Sequence, residues 1–292
     1  MTRILIGPRR TWLETAIEAG GATAVTEGPA EAVVWTDPKR PDGLRSLLDE
    51  QSDIAWVQLP WAGIEPFVPI LDADRVWTCG KGVYAEPVAE HALLLALMGL
   101  RGMATYARAA TWEGPQGRNL LGAKVTIVGG GGIAQSLVRL LEPFGTQTRV
   151  IRRSSAPTLD DLDDLLPSTD VVFLALPLTH ETAGLFDERR LRLLPEHAWL
   201  VNVARGEHVV TDDLVAVLRE GAIGGAALDV TDPEPLPDGH PLWSLTNCFI
   251  TPHVGNTPEM AVPLLSARVA ENVRRFIAGD DLIGRVHVDA GY

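Results

Sequence analysis

The amino-acid sequence predicts an α/β fold with two doubly wound parallel sheets, and three observations lead to this prediction. Short apolar runs alternate with helix-like segments along the chain, a pattern typical of parallel sheets that helices cover on both faces. A helix-compatible stretch at 86–110 separates an early group of such runs from a later one. The length of 292 residues exceeds what one small core usually needs. We therefore expect two domains.

The smaller domain is expected to span 1–86 and 257–292. Its predicted strands are the apolar runs at 4–6, 32–35, 54–57 and 76–78. An amphipathic helix at about 258–278 is expected to lead to a tail that returns to this domain. The continuous helix at 86–110 would connect it to the second domain.

The second domain is expected to span 87–256. Its predicted strands lie at 124–128, 148–151, 171–176, 198–203, 226–230 and 249–251, with helices at 133–142, 159–165, 188–194 and 212–220. Thr211 or Asp212 is the predicted N-cap of the last of these helices. Six strand-then-helix steps predict a Rossmann-like domain.

Composition argues against several classes of partner. The chain carries 25 Lys and Arg against 38 Asp and Glu, a net charge of −13, which repels nucleic acid and anionic membranes. No apolar run approaches the roughly 20 residues of a membrane span. Cys79 and Cys248 lie in apolar runs, as expected of inert thiols in a reducing compartment. We therefore expect a cytoplasmic protein, and the sequence shows no metal-ligand spacing.

A glycine-rich run follows the first strand of the second domain. Gly129, Gly131 and Ala134 match G-x-G-x-x-A, with Gly132 and Ile133 opening the next helix. In this motif the glycines allow a tight turn and close approach of backbone N–H groups to a pyrophosphate. A flexible turn is the alternative, but a buried strand before and a helix after the run favour dinucleotide binding.

The end of the next strand indicates which dinucleotide is preferred. An NAD site normally places a carboxylate there for the ribose 2′-hydroxyl. This chain has Arg152, Arg153 and Ser154 instead. Guanidinium groups and a hydroxyl suit a 2′-phosphate, although a pair of solvated arginines remains an alternative. The sequence favours NADP over NAD.

Three polar residues follow three successive predicted strands. Arg205, Glu234 and His253 lie at or just beyond strand carboxyl ends, which face the ligand crevice of an open α/β sheet. Arg205 could bind a carboxylate and polarise a carbonyl oxygen. His253 could exchange a proton with that oxygen, and Glu234 could orient its ring. Each alone could be structural, but their joint placement favours a catalytic site.

Taken together, these motifs resemble the D-isomer-specific 2-hydroxyacid dehydrogenase family. The resemblance rests on the glycine loop, Leu176-Pro177-Leu178-Thr179, Asn202-Val203-Ala204-Arg205-Gly206, the Asp229 to Glu234-Pro235 segment and Pro252-His253. Their order and spacing cover nearly the whole second domain.

The resemblance implies a role for each matching residue. Arg205 would bind substrate, His253 would be the acid/base with Glu234 as its partner, and Asp229 would contact the nicotinamide side of the cofactor. The segment 59–65 resembles the family loop that holds the substrate carboxylate through backbone amides, here those of Trp61, Ala62 and Gly63. Further cofactor contacts are expected at Leu176, Pro177, Val203, Ala204 and Gly255. The smaller domain would be a flavodoxin-like substrate domain, with a cleft between the two domains that closes over substrate.

The short length and the ending at 288–292 resemble the glyoxylate/hydroxypyruvate reductase-like branch. The implied activity is hydride transfer between NADP or NAD and a small anionic 2-oxo or 2-hydroxy acid. A homodimer formed through the cofactor domain and the long helix near 87–108 is also implied. Two alternatives stay open: a dehydrogenase of another anion such as phosphite, and a cofactor-sensing binding protein of the corepressor type.

Overall fold

A computed structural model describes residues 1–288, which form two compact units. The first unit contains Met1–Tyr84 and the described part of Thr257–Tyr292, and the second contains Ala85–Asn256. Within the described range, no helix has the length and apolar character needed to cross a membrane. The predicted resemblance of the ending at 288–292 falls mostly on residues 289–292, which lie outside the described residues.

The first unit contains a five-stranded parallel sheet in the order β2-β1-β3-β4-β5. This is the flavodoxin-like order, so the predicted α/β sheet of the smaller domain is confirmed. Its elements are β1 (Arg3–Gly7), α1 (Thr11–Ala19), β2 (Thr23–Val25), β3 (Ala32–Trp35), α2 (Pro41–Glu50), β4 (Trp56–Gln58), a 3₁₀ helix (Glu65–Ile70) and β5 (Val76–Thr78).

The second unit contains a six-stranded parallel sheet, confirming the predicted Rossmann-like architecture. Its elements are α3 (Ala85–Leu100), α4 (Met103–Tyr106), β6 (Lys124–Val128), α5 (Gly132–Leu141), β7 (Gln147–Ile151), α6 (Leu162–Leu165), β8 (Val171–Leu174), α7 (Glu188–Leu191), β9 (Trp199–Asn202), α8 (Thr211–Glu220), β10 (Gly225–Leu228) and β11 (Cys248–Ile250). The order β11-β10-β9-β8-β6-β7 reverses between β6 and β8. The carboxyl ends of these two strands therefore mark the expected ligand crevice of this unit.

The helix α9 (Pro258–Ala278) follows the second unit and returns the chain to the first. Its N-cap Thr257 accepts a hydrogen bond from the amide of Met260, and Gly279 ends it in the left-handed conformation. The predicted helix at 258–278 is confirmed. In the first unit its buried Asn272 donates to Gln58 (2.9 Å). This contact explains why β4 extends to polar Gln58 instead of ending at Val57 as predicted.

The prediction of one continuous helix over 86–110 is wrong beyond Leu100. Gly102 adopts φ +64°, a left-handed conformation that ends the α-helical path. Only the short α4 follows, and the stretch from 107 to 123 contains no helix or strand. The short strand β2 was not predicted, because its three residues are only half-buried and carry little apolar signal.

Several other predicted boundaries are also wrong. The N-cap of α8 is Val210, without a side-chain cap, because the Thr211 hydroxyl donates to the carbonyl of Asp232 instead (2.6 Å). The predicted helix at 159–165 is a 3₁₀ turn followed by the short α6, and α7 ends at Leu191 rather than 194. The strands β8, β9 and β10 end one or two residues early. The residues after them form the loops of the site.

Candidate active site

The glycine loop after β6 has the backbone geometry that a pyrophosphate requires. Gly129 has φ +120°, and a Cβ there would lie 2.1 Å from the carbonyl oxygen of Ala175, so only glycine fits. A Cβ at Gly131 would meet nothing within 4 Å, which leaves this side of the loop open. Gly131 is also the N-cap of α5, whose first turn, from Gly132 and Ile133, has no side-chain cap. Uncapped amides at a helix start favour a bound anion, so the residues present fit a dinucleotide.

The residues Arg152, Arg153 and Ser154 are exposed at the end of β7. Arg152 extends over the glycine loop: its Cγ lies 3.0 Å from the position of a Cβ built on Gly130. Its amide donates to the carbonyl of Pro157 (2.9 Å), which fixes the backbone at the strand end. The Arg152 side chain thus lies beside the glycine loop.

The loop after β8 contains Leu176, half-buried, and Pro177, exposed. The fully buried His208 holds this loop in place. The Nδ1 of His208 lies 2.8 Å from the carbonyl oxygen of Thr182, and its Nε2 lies 3.2 Å from that of Leu176. Burial lowers the pKa of His208, although the hydrogen bonds to the two backbone carbonyls act in the opposite direction. Sequence reasoning did not single out this histidine, because no motif relates it to the loop.

The segment after β9 presents Arg205 from a tightly packed turn. The amide nitrogen of the Asn202 side chain donates to the carbonyl of Arg205 (2.8 Å), and its oxygen accepts from the amide of Ala204 (3.0 Å). A Cβ at Gly206 would lie 2.0 Å from the backbone of Thr231. Asparagine and glycine thus fix the turn, in which Val203 and Ala204 are buried and Arg205 is half-buried.

His253 and Glu234 form a hydrogen-bonded pair. His253 Nδ1 lies 2.8 Å from Glu234 Oε1, and both side chains are about half-exposed. Because a carboxylate can only accept, the imidazole Nδ1–H donates and Nε2 is left for a ligand. His253 has φ +53°, the only non-glycine positive φ among the described residues. Backbone strain of this kind is common at functional sites.

Asp229 lies beneath the loop that carries His253. Its oxygens accept hydrogen bonds from the Thr251 hydroxyl (2.6 Å) and the amides of Val254 and Gly255 (both 2.9 Å). His91 Nε2 lies 3.3 Å from the same carboxylate. Burial opposes ionisation of Asp229, but these hydrogen bonds outweigh it and lower its pKa to about 2. Sequence reasoning missed His91, since α3 carries no motif and lies far from Asp229 in sequence.

The depressed pKa of Asp229 predicts a pH-dependent contribution to stability. A carboxyl with a lowered folded-state pKa stabilises the protein above its unfolded pKa near 4 and loses that effect as the pH falls towards 2. The free energy of unfolding of Asp229→Asn should fall below wild type by about 2 to 3 kcal/mol more at pH 7 than at pH 2. Urea unfolding of both proteins from pH 7 to pH 2 measures this difference in the free energy of unfolding. A difference that stays constant from pH 7 to 2 would contradict the assignment.

The loop containing Trp61, Ala62 and Gly63 follows β4 in the first unit. The Trp61 ring packs 5.5 Å from that of Tyr84, and the Trp61 carbonyl accepts from the amide of Gly80 (2.9 Å). Within residues 1–288, the amides of Ala62 and Gly63 donate no hydrogen bond to the protein. Such amides are available to an anion.

Comparison with known proteins identifies the family. Residues 91–255 match the model of the family described as "D-isomer specific 2-hydroxyacid dehydrogenase, NAD binding domain". The chain belongs to the D-isomer-specific 2-hydroxyacid dehydrogenase family. It is therefore a nicotinamide-dependent oxidoreductase, and the resemblance predicted from the sequence is confirmed.

Relatives of this dehydrogenase include both uncharacterised and named proteins. An uncharacterized protein in the proB 3′ region of Corynebacterium melassecola is 35% identical, over 94% of this chain and 95% of that protein. A glyoxylate reductase of Thermofilum pendens is 34% identical, over 68% of this chain and 64% of that enzyme. A crystal structure of a family member from Xanthobacter autotrophicus Py2, in complex with NADPH and MES, has a TM-score of 0.84 at 26% identity, over 100% of this chain and 99% of that one.

Proposed function

We propose that this dehydrogenase reduces small 2-oxo acids of the glyoxylate and hydroxypyruvate type, with NADPH as the preferred hydride donor. The observation that carries the proposal is the His253–Glu234 pair, 2.8 Å apart, on the same sheet edge of the second unit as Arg205. Relatives named glyoxylate reductase support the substrate class. When bound, the nicotinamide supplies or accepts a hydride.

The protein's own residues would bind, orient and protonate the substrate. Arg205 would bind the substrate and stabilise negative charge that develops on the carbonyl oxygen. His253 would donate the proton from Nε2 as that charge develops. Glu234 accepts from Nδ1 and would orient the ring, with the transferred proton carried on Nε2 of the imidazolium. The amides of Trp61, Ala62 and Gly63, in the first unit, would hold the substrate carboxylate.

The dinucleotide would be held by the second unit. Gly129, Gly131 and the start of α5 would bind the pyrophosphate, with Leu176, Pro177, Val203 and Ala204 lining the site. Asp229 and Gly255 would lie on the nicotinamide side. The carboxylate of Asp229 already accepts hydrogen bonds from several protein donors, so any contact with the cofactor would add to these.

Arg152, Arg153 and Ser154 would bind the 2′-phosphate of NADPH. Replacing Arg152 with alanine should raise the KM for NADPH about tenfold, since a charge-assisted hydrogen bond is lost, and should leave the KM for NADH unchanged. Steady-state kinetics with both cofactors measures this. The matched control is Arg149→Ala, an exposed arginine three residues earlier on β7, which removes the same charge. An equal effect of the two variants would contradict the assignment.

The proposed function is tested by following NADPH and NADH oxidation with glyoxylate, hydroxypyruvate, pyruvate and phenylpyruvate. We expect turnover of the smaller acids, faster with NADPH. NADH preference would overturn only the cofactor assignment. Absence of turnover with every acid would contradict the reductase assignment, and turnover of phosphite or cofactor-dependent partner binding would then identify the alternative.

We also propose that the protein is a cytoplasmic homodimer. Large apolar side chains are exposed between α3 and β6, above all Trp112 (101% exposed) and Leu121 (66% exposed). A second copy of the chain would bury them. Both cysteines are buried and unpaired, which suits a reducing compartment. Light scattering of wild type and Trp112→Ser measures the oligomeric state, and a monomeric wild type would contradict the dimer.

A further inference from the structure

We propose that His91 is a positioning residue for His253, acting through Thr251 and Asp229. This inference rests on the proposed function, in which His253 is the proton donor. His91 belongs to α3, outside the loops that carry the matched motifs. The inference adds it to the residues that orient the imidazole of His253.

The loop that carries His253 is held on both sides by one carboxylate. Asp229 accepts from the Thr251 hydroxyl, two residues before His253, and from the amides of Val254 and Gly255 directly after it. The amide of His253 itself donates to the backbone carbonyl of Asp229 (2.8 Å). These bonds hold His253 in its left-handed conformation, which is costly for a residue with a side chain. The direction of the imidazole therefore depends on where the Asp229 carboxylate lies.

His91 supplies the remaining side-chain donor to this carboxylate. Its Nε2 lies 3.0 Å from the hydroxyl oxygen of Thr251 and 3.3 Å from Oδ1 of Asp229. The Thr251 hydroxyl hydrogen is directed to Asp229 (2.6 Å), so both atoms facing the imidazole are acceptors. Nε2 must therefore carry a hydrogen and donate it. Only 14% of the His91 side chain and 4% of the Asp229 side chain are exposed, so water competes poorly for these bonds.

α3 provides a rigid base for this donor. The apolar residues around His91 on the helix, Ala89, Ala92 and Leu95, are fully buried and share a core with Trp199 of β9 and Ala227 of β10. The helix is thus packed against the strand that ends beside Asp229. Through His91 the packed helix fixes Asp229 and Thr251, and these two residues fix the loop of His253.

The test compares two amide substitutions that differ in reach. The Nε2 of glutamine lies near the position of the histidine Nε2, whereas the shorter asparagine cannot place its amide there. We expect His91→Asn to lower kcat for the best 2-oxo acid about tenfold, because a small displacement of a catalytic group is costly, and to leave the Kd for NADPH within twofold of wild type. His91→Gln should keep at least half of the wild-type kcat. His287→Asn, at an exposed histidine of the first unit, is the control.

Nuclear magnetic resonance of the His253 ring provides a readout that does not depend on turnover. The Cε1–H resonance of His253, assigned with His253→Ala, should shift or broaden in His91→Asn and match wild type in His91→Gln. Wild-type kcat and an unchanged resonance in His91→Asn would overturn the inference. Equal losses of kcat in His91→Asn and His91→Gln would also overturn it. So would a loss of NADPH binding and thermal stability in His91→Asn that accompanies its loss of kcat. If the wild type turned over none of the acids, the proposed function would fail and the resonance alone would decide on His91.

Discussion

Replacing His253 with alanine should lower kcat for 2-oxo acid reduction by about three orders of magnitude, within the range for loss of a general acid. The imidazole Nδ1–H donates to Glu234, so Nε2 is the atom left to protonate the substrate oxygen. Half-exposure of the side chain leaves this atom accessible. The Kd for NADPH should change less than twofold, since most of the residues that would bind the dinucleotide follow β6, β7, β8 and β9, away from His253. Stopped-flow NADPH oxidation and fluorescence titration measure the two quantities.

Two further variants test whether the loss of kcat is specific to the His253–Glu234 pair. Glu234→Gln keeps a hydrogen-bond acceptor at Nδ1 but removes the carboxylate that fixes the tautomer and orientation of the ring, so its kcat should fall about tenfold to a hundredfold. His287→Ala, at an exposed histidine, should have wild-type activity. If His253→Ala retained more than a tenth of the wild-type kcat, His253 would not be the proton donor.

Replacing Arg205 with leucine should lower kcat/KM for the 2-oxo acid by a factor of about 10² to 10³, the usual effect of removing a donor to a developing oxyanion. Arg205 is half-buried, and Asn202 and Gly206 fix the backbone of the turn that presents it. Lysine at this position keeps the charge but loses the planar fork. Arg205→Lys should therefore recover only part of the activity.

The matched control for Arg205 is Arg219→Leu, at an exposed arginine in the last turn of α8. It removes the same charge from the same unit and should leave kcat/KM within twofold. Steady-state kinetics with glyoxylate measures both variants. Equal kcat/KM for Arg205→Leu and wild type would show that Arg205 does not bind the substrate.

Local patterns in the sequence predicted most of the second unit. Apolar runs such as 124–128 and 171–174 form fully or mostly buried parallel strands, whose composition is visible in any short window. The glycine loop was predictable because Gly129 must adopt positive φ and lie against Ala175. Polar residues at strand ends pointed to Arg205 and His253, since parallel strands bring their carboxyl ends to one edge.

What the sequence could not predict depends on contacts between distant residues. Gln58 looks like a strand terminator, yet it is fully buried because Asn272 and Thr78 bond to its amide. Thr211 looks like an N-cap, yet its hydroxyl bonds to Asp232. His91 reads as one more residue of a mostly buried helix, and only the folded chain brings it to Asp229. Such partners carry no local signal.

The most direct test of the central claim is to follow the hydride itself. The protein is incubated with hydroxypyruvate and NADPH deuterated at both C4 positions, and the glycerate formed is analysed by mass spectrometry and chiral chromatography. We predict one deuterium at C2 of every product molecule, D configuration at that carbon, and loss of product with His253→Ala. Glycerate without deuterium, or no consumption of either reactant by the wild type, would contradict direct hydride transfer to a 2-oxo acid.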